Sequence, residues 1–592
     1  MLQNSSVARL NASLSAPLVK RLGILSNSLI FAAAISAIAV MLIRWLIFPL
    51  GTINADELIY QEMAGAFLNG QTKIPVDPVL GPQSAPWLMS NIGNWSVPKY
   101  QPLFPLFLIS AELLGLWFPL SALAFACTYS VGKLAAAFSV PSVRAAWLWN
   151  ASSIFLITAS TALPYVFSLE LGILILLVAA SSKRYPFLKL GILIGLGLLC
   201  RPMDTVLFAL AGTSILWQRR KLSSSMDYGK LILVIGVASI PAFGWNWIQT
   251  GSPLEFPFSL TSRLDSWGFG VRKIYDSDPG LDFTVLNGLE AIFSNVGRIL
   301  TWTFGGIVLL PLAFVSLRRG HLKYRLSLII LALSWLVAYG CFWGSFASVR
   351  FWNGPDYIGP FYWLPLSLIL VLLISANPQK ASEWKFPWVA AAVVAALVFF
   401  SVISKNWAMT ESWKSSDLLK QVNTSDSIIK IDKSYSSHIG APIQIVANRP
   451  GVRKFSTNWQ GLVSMVDVYG VRKPQIWLAM GHEETRFDFL PFMARVKVAS
   501  SAPVVEINDA NWLQLQIVSD SGCVFKSVSP STKLKLNLSI QSLNNGFTGT
   551  CSERSEANEL VFKLISIRSG KTVHTLISYF DPKSQNFYYA VF

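Results

Sequence analysis

Runs of about twenty apolar residues recur along this chain, separated by short clusters of lysine and arginine. No other feature constrains the fold as strongly, because a helix needs roughly 20 apolar residues to cross the hydrocarbon core of a bilayer. Candidate spans lie at about 28–50, 118–138, 143–160, 163–181, 229–248, 298–317, 324–342, 360–376 and 387–404. The apolar run 187–217 is interrupted by Cys200-Arg201-Pro202-Met203-Asp204. Proline breaks the helical ladder there, so the run reads as two short helices with Arg201-Pro202 near the outer turn. Both flanking clusters, Lys183-Arg184 and Arg219-Arg220-Lys221, then stay on one side of the membrane, as basic loops prefer. The expected total is about eleven spans.

Composition agrees. Charged residues make up 13% of the chain and hydrophobic ones 53%, where soluble proteins carry about 25% charged residues. The mean hydropathy is +0.49, and 22 tryptophans suit a protein with many membrane–water boundaries. The net charge of +17 is spread over clusters between apolar runs, including Lys20-Arg21 and Arg318-Arg319. It therefore records topology rather than a nucleic-acid groove, and no nucleic-acid partner is expected.

The resulting parity puts the N-terminal segment 1–27 in the cytoplasm. That segment has no signal-peptide cleavage pattern, so the first apolar run is expected to remain as an anchor. The loops at about 51–117, 249–297 and 343–359 fall outside, as does everything after about 405. Within the first loop, PLFPLFLISAELLGLWF is short and proline-rich, and reads as an interfacial helix on the outer leaflet. Beyond 405, segments such as APIQIVAN, PVVEIND, WLQLQIVSD, KLKLNLSI and HTLISYF alternate apolar and polar residues at strand period. Helices are expected near 457–466 and 484–494. The fold class is thus a polytopic α-helical membrane protein over 28–404, followed by an extracytoplasmic soluble α+β domain over 405–592. Cys127, Cys200 and Cys341 lie in apolar runs and read as small hydrophobes. Cys523 and Cys551 lie in the polar C-terminal region, where export would permit a disulfide between them and two free thiols are the alternative.

The candidate chemistry starts at residues 54–67, NADELIYQEMAGAF, directly after the first apolar run. Asn54 followed by Glu57 fits a capping box, with Tyr60, Met63, Ala64 and Phe67 on one helical face. In a purely structural role, Asp56 and Glu57 complement the positive end of the helix dipole. The same geometry suits a general base or a metal ligand, since a carboxylate in a first helical turn stays ionised. Nearby in sequence stand Glu62, Asp77 and the turn KYQPLFP with Lys99. Arg201, Arg263, Arg272, Lys273, Arg298 and Arg350 are also external or nearly so, against the topological bias, and call for partners. A lipid phosphate is one partner that arginine and lysine bind well. The alternative is pairing with Asp204, Asp265, Asp276, Asp278, Asp282 and Asp356. The four histidines show no zinc-site spacing, and no P-loop, dinucleotide fingerprint or Ser/His/Asp signature is present.

A first span, then Asp56-Glu57-Leu58-Ile59-Tyr60, a proline-rich segment, many spans and a soluble tail together resemble the GT-C superfamily of membrane glycosyltransferases. The nearest branch holds the protein O-mannosyltransferases and lipid A aminoarabinose transferases. That branch often has a basic residue or histidine before Pro-Leu or Pro-Pro about forty residues after the acidic pair; here Gln101 directly precedes Pro102-Leu103, and Lys99 lies two residues earlier. GLGLLCRPMD at 195–204, NWIQTGSPLEFPF at 246–258 and VRFWNGPDYIGPFYWLP are similar to further recurring pieces. The resemblance covers about 28–404, and the order of its motifs carries it.

The resemblance implies a glycosyltransferase that takes a sugar from a polyprenyl-phosphate-linked donor at the outer face of the cell inner (plasma) membrane. The acceptor would be a hydroxyl on a glycan, lipid or protein. Asp56 would be the general base or would help hold a divalent cation, Mg or Mn. Glu57 would orient the acceptor, Asp56 or the metal. Lys99, Arg201, Arg350 and Arg263 would meet the donor phosphate, and Tyr60, Tyr100 and Gln101 would position substrate. Two other classes compete: a transporter or flippase of lipid-linked sugars, and a cell-envelope polysaccharide polymerase or ligase. Transporters keep ionisable groups near the midplane and show two similar halves, whereas here the acids gather in one external loop and no repeat is visible. A polymerase or ligase would place its main functional loop late in the chain. In the C-terminal domain, Trp459, Trp477 and Trp512 suit sugar stacking or core packing.

Overall fold

The computed structural model describes residues 27–46, 55–75, 89–92, 95–182, 184–221, 224–273, 281–318, 322–350, 358–377 and 385–414, and after these only the strands of the C-terminal region. Helix α1, Asn27–Leu46, is followed by α2, Ala55–Leu68. A small antiparallel sheet comes next, with β1 (Ile74–Pro75), β2 (Met89–Ile92) and β3 (Trp95–Pro98) in the order β1-β3-β2. Helix α3, Leu103–Leu114, is only 12 residues long and ends at Gly115, whose φ of 83° a side chain would resist. The bundle continues with α4 (Trp117–Ala137), α5 (Ser142–Asn150), α6 (Ser153–Ala159), α7 (Tyr165–Ser181), α8 (Pro186–Leu198), α9 (Pro202–Gln218) and α10 (Ser225–Thr250). A hairpin of β4 (Gly270–Arg272) and β5 (Leu281–Phe283) precedes α11 (Val285–Trp302), α12 (Leu310–Arg318), α13 (Arg325–Gly340) and α14 (Trp343–Arg350). Helices Leu364–Ser375 and Lys385–Lys414 complete the described membrane region.

Four helices among the described residues are long and apolar enough to cross a membrane: Asn27–Leu46, Trp117–Ala137, Ser225–Thr250 and Phe386–Trp407. Shorter apolar helices, Tyr165–Ser181, Pro186–Leu198, Arg325–Gly340 and Phe361–Ser375, accompany them. Length and composition therefore do not select the eleven spans expected from hydropathy. The expected break at Arg201-Pro202 is present between α8 and α9, where Arg201 is extended (φ −143°, ψ 94°) ahead of a proline at the first helical position. Two other expected spans are divided. The run 143–160 is split into α5 and α6 because Ser152 leaves the helical conformation, and its hydroxyl accepts the Phe304 amide at 3.0 Å. The run 298–317 is split into α11 and α12 at Gly305, which adopts φ 72°.

The core is formed by the inner faces of α4 to α9, α13, α14 and Leu364–Ser375 with the turn before it, where Trp149, Trp335, Trp343 and Trp363 are fully buried. Helix α10 and the last long helix are peripheral, with Ile232, Val237, Phe386 and Phe400 exposed, as side chains facing lipid would be. Helix α8 approaches α10 closely through small residues: a Cβ on Gly195 would lie 2.2 Å from the Ala238 carbonyl oxygen.

The C-terminal region contains a seven-stranded antiparallel sheet in the order Lys497–Ala499, Asn586–Val591, Thr572–Asp581, Glu559–Ser566, Leu513–Ser519, Val524–Ser527, Thr548–Thr550. Tyr579 stands opposite Tyr588 and Phe580 opposite Phe587. The strands expected in PVVEIND, WLQLQIVSD, KLKLNLSI and HTLISYF are present. The helices expected near 457–466 and 484–494 lie outside the described residues, except that Val466 begins a strand. Cys523 and Cys551 lie outside them too, as do Trp459, Trp512 and the capping residue Asn54.

Gly195→Ala is expected to lower the stability of detergent-solubilised protein by about 1–3 kcal/mol, because the clash is with backbone and cannot be relieved by a rotamer change. Chemical denaturation of the purified variant checks this, with the open-faced Gly229→Ala as control.

Candidate functional site

Three loops meet at one end of the bundle. The first is the turn after β3, Lys99-Tyr100-Gln101-Pro102. Its end is tied to the α8–α9 turn, because the Leu103 amide donates to the Leu199 carbonyl at 2.9 Å. The second is that α8–α9 turn, Cys200 to Asp204. The third runs from Gly251 to Trp267 and is held at its root by Asn246, whose side-chain amide donates to the Pro253 carbonyl at 3.1 Å. Gln101 donates to the Asn246 side chain at 3.4 Å, so the first and third loops are also joined. Together with the first turn of α2, these loops enclose a cavity of about 760 Å³.

Four carboxylates, Asp56, Asp204, Glu255 and Asp265, and three cations, Lys99, Arg201 and Arg263, line that cavity. Lys99 is paired with Asp265 at 2.6 Å, and both are nearly inaccessible at 5% and 4% exposure. The Trp343 indole donates to the other Asp265 oxygen at 3.0 Å, and Lys99 also lies over the Phe258 ring. Burial raises the Asp265 carboxyl above its usual range, against the opposing pull of Lys99 and Trp343. Arg201 pairs with Asp204 at 2.7 Å through Nε, and its Nη2 donates to the Tyr339 hydroxyl at 3.0 Å. Tyr339 and Ser168 donate to Asp204 as well. The guanidinium is thereby fixed in orientation, stacked 4.4 Å from the centre of the Tyr165 ring. Among the described residues no hydrogen-bond partner takes its Nη1, and Arg201 lines the cavity. Arg263 forms a loose, exposed rim pair with Glu255 at 3.6 Å.

Asp56 differs from the other three carboxylates. Among the described residues it has no ion-pair partner within 4.0 Å, and it accepts from the Tyr100 hydroxyl at 2.5 Å. Tyr100 in turn stacks on Tyr60, with ring centres 4.6 Å apart, and Tyr60 packs edge-on against Phe104. Enclosure in this aromatic wall pushes the Asp56 carboxyl above its ordinary range, opposed by the Tyr100 hydrogen bond and by the charges of Lys99 and Arg201. The result is an under-compensated carboxylate facing a roomy cavity beside an oriented guanidinium.

Of the residues singled out from the sequence, Asp56, Tyr60, Lys99, Tyr100, Gln101, Arg201 and Arg263 line the cavity. Glu57 does not: it is fully buried, 3.4 Å from Arg44, and accepts the Ala162 amide at 2.7 Å. The Arg350 side chain lies outside the described residues. Arg272 serves the carbonyls of Trp267, Gly268 and Phe269, and Arg298 donates to Ser294. Pairing with aspartate therefore accounts for Arg201 and Lys99 in the absence of any ligand. Tyr165 and Trp343 have no local sequence signal, and Tyr362 lies in the VRFWNGPDYIGPFYWLP segment without being singled out there; the fold brings all three to the cavity. No group of three or more His, Cys, Asp or Glu able to hold a metal is gathered among the described residues, and three of the four lining carboxylates are committed to cations. The described residues do not fit the divalent cation considered from sequence, and no step is routed through one.

No protein-family model matches the sequence, and no curated protein does. Among solved structures, the chain is similar to ArnT from Cupriavidus metallidurans in the apo state, at 15% identity over 61% of this chain and 63% of that one, with a TM-score of 0.41. ArnT from the same organism bound to undecaprenyl phosphate matches at 14% identity over 64% of this chain and 72% of that one, again with a TM-score of 0.41. The archaeal oligosaccharyltransferase AglB from Archaeoglobus fulgidus, in complex with an inhibitory peptide and a dolichol-phosphate, matches at 12% identity over 73% and 61%, with a TM-score of 0.36. These proteins are of the glycosyltransferase class that the sequence resembles. At such TM-scores the likeness carries no argument, and the function proposed below rests on the cavity.

Lys99→Met would leave Asp265 buried without its cation, and is expected to reduce stability by about 3 kcal/mol. Lys99→Met combined with Asp265→Asn should recover most of that loss. Denaturant titration of the two purified variants in detergent measures the difference.

Proposed function

We propose that this chain is a membrane glycosyltransferase that moves a sugar from a polyprenyl-phosphate-linked donor to an acceptor hydroxyl. The observation that carries the proposal is Asp56, among the described residues the one lining carboxylate with no cation within 4.0 Å, on a cavity wall that also presents an oriented arginine. Glycosyl transfer from a lipid phosphate needs two things of a protein. A base must take the acceptor proton, and fixed cations must receive the negative charge that develops on the leaving phosphate. Asp56 supplies the first. Arg201 supplies the second through its uncommitted Nη1, with Lys99 and Arg263 also on the cavity wall; Arg350 is a further candidate by sequence. No nucleotide fold is required, because the sugar arrives activated on a lipid.

Tyr60, Tyr100, Tyr165 and Tyr362 give the cavity aromatic walls with hydroxyl groups, a surface suited to sugar faces and ring hydroxyls. In this proposal the protein is a multi-pass protein of the inner (plasma) membrane. Its N-terminus and the Arg219-Lys221 cluster are cytoplasmic, and the cavity and the C-terminal region are extracytoplasmic. The acceptor is a glycan, lipid or protein of that compartment.

Asp56→Asn is expected to leave a folded, membrane-inserted protein whose transfer from a polyprenyl-phosphate sugar falls by about 10³-fold or more; near-full turnover would overturn the assignment. Tyr100→Phe tests the same carboxylate by pH. The base works only when ionised, so the rate declines as pH falls through its raised value. Removing a hydrogen bond that favours the ionised form raises that value further. The acid limb of kcat/KM should therefore move to higher pH in Tyr100→Phe.

A further inference from the structure

We infer that the crevice between α11 and the last long helix, Lys385–Lys414, binds an anionic phospholipid, with the lipid phosphate on Lys405 and an acyl chain along Trp302. The crevice has a volume of about 270 Å³ and shares no residue with the cavity that holds Asp56. The inference needs only that the stretch Phe386–Trp407 crosses the membrane, and not that the chain is a transferase.

The crevice has the shape of an amphiphile. Leu397, Val398, Ser401, Val402 and Lys405 share one face of the last helix, and Trp302 at the end of α11 forms the opposite wall. Leu397 and Lys405 are eight residues apart, which is about 12 Å along the helix axis. Lys405 stands two residues before Trp407, where the apolar stretch ends, at the level of the lipid headgroups. Leu397 lies well inside the hydrocarbon. A cation therefore tops a slot whose lower part is apolar. Trp302 is a fixed wall: it is 7% exposed, and a Cβ on Gly359 would come within 3.2 Å of its ring.

Charge and packing both call for that occupant. Lys405 is exposed and, among the described residues, pairs with no carboxylate. An ammonium at the edge of the hydrocarbon takes an anion, and a lipid phosphate at the same depth is a strong acceptor for it. A zwitterionic headgroup carries its own cation beside the phosphate, so a net anionic one is favoured. The helix also lacks protein contacts, since only 11% of its apolar stretch is buried. Near its start, Trp388 stacks on Phe304 with ring centres 6.2 Å apart, under the Arg144 guanidinium. Further along, the crevice leaves dispersion contacts unmade, and an acyl chain makes them. The lipid thus joins to the bundle the helix that leads into the C-terminal region.

Photo-crosslinking of the full chain in detergent tests this, with phosphatidylglycerol carrying a diazirine in one acyl chain and mass spectrometry of the labelled peptides. Labels are expected on Trp302 and within 397–402. Unlabelled phosphatidylglycerol should compete about fivefold better than phosphatidylcholine. Lys405→Gln should abolish that preference, and Lys405→Arg should keep it. Ser401→Phe, which keeps the charge but fills the slot from an exposed position, should remove the Trp302 label. Lys230→Gln, an exposed position on α10, is the charge control and should change nothing. Equal labelling in Lys405→Gln and Ser401→Phe, both monodisperse, would overturn the inference and assign the label to bulk lipid. Stronger competition by undecaprenyl phosphate than by phosphatidylglycerol would overturn it in favour of a polyprenyl lipid. A dimer that depends on Lys405 and carries no label would overturn it in favour of a second copy of the chain. Because the readout is binding, a protein inactive in sugar transfer that labels as expected would count against the transferase proposal and leave this site standing.

Discussion

Charges set into an apolar helical bundle must be compensated, and the partners they find decide which segments meet. Lys99 follows a short strand in the first loop, and its partner Asp265 lies 166 residues later, beyond α10. Arg201 and Asp204 are near neighbours in sequence, but Tyr339 from α13 completes their network from 138 and 135 residues away. Arg44 and Glu57 draw α1, α2 and the α6–α7 turn together. Breaking any of these by removing one partner leaves a buried charge, which is far less favourable than replacing both. The cavity is the space these pairings leave where three loops converge. Its shape therefore follows from electrostatic necessity as much as from apolar packing.

Against that background Asp56 stands out among the carboxylates that line the cavity. Asp56 has a tyrosine hydroxyl where the other lining carboxylates have cations. Full pairing would have lowered its proton affinity and made it a poor base. Burial raises its carboxyl, and one hydrogen bond with two cations acting at a distance opposes that rise only in part. A base works best when its proton affinity is near the operating pH.

Much of this was legible in the sequence, for reasons that can be stated residue by residue. The break at Pro202 follows from covalent structure, and the period-2 segments after 405 appear as strands such as Leu513–Ser519. The loop motifs around Asp56, Lys99 and Arg201 sit on one cavity because their residues are those that membrane loops select against without a partner. Other features were hidden. Hydropathy ran straight through Ser152, because a serine hydroxyl that accepts a distant amide has no periodic signature. The Gly305-Gly306 pair was visible, yet an apolar window does not reveal that Gly305 adopts a left-handed conformation. The direction of Glu57 was hidden too, since helical period gives the angle between neighbours but not which of them faces a cavity. Tyr165 and Trp343 were unreadable because each is an ordinary core aromatic until the fold places it, and Tyr362 lay in a recurring segment whose pattern does not say which aromatic faces a cavity.

The charge balance of the cavity bears on the proposed chemistry. Three lining cations oppose four carboxylates, so the wall carries a net charge of −1 when Asp56 is ionised. A sugar on a lipid phosphate brings one further negative charge as a phosphodiester. Transfer moves a proton from the acceptor to Asp56 and frees the phosphate with a second negative charge. The total is unchanged; one negative charge has moved from the Asp56 wall to the leaving group. Such a displacement is easiest where the starting carboxylate is poorly compensated and the destination lies beside cations already fixed in place. Arg201, locked by Asp204 and Tyr339 with Nη1 still uncommitted, meets the second requirement, and Asp56 meets the first. The pairings that look like plain structural compensation are therefore what would make the cavity asymmetric enough to drive charge across it.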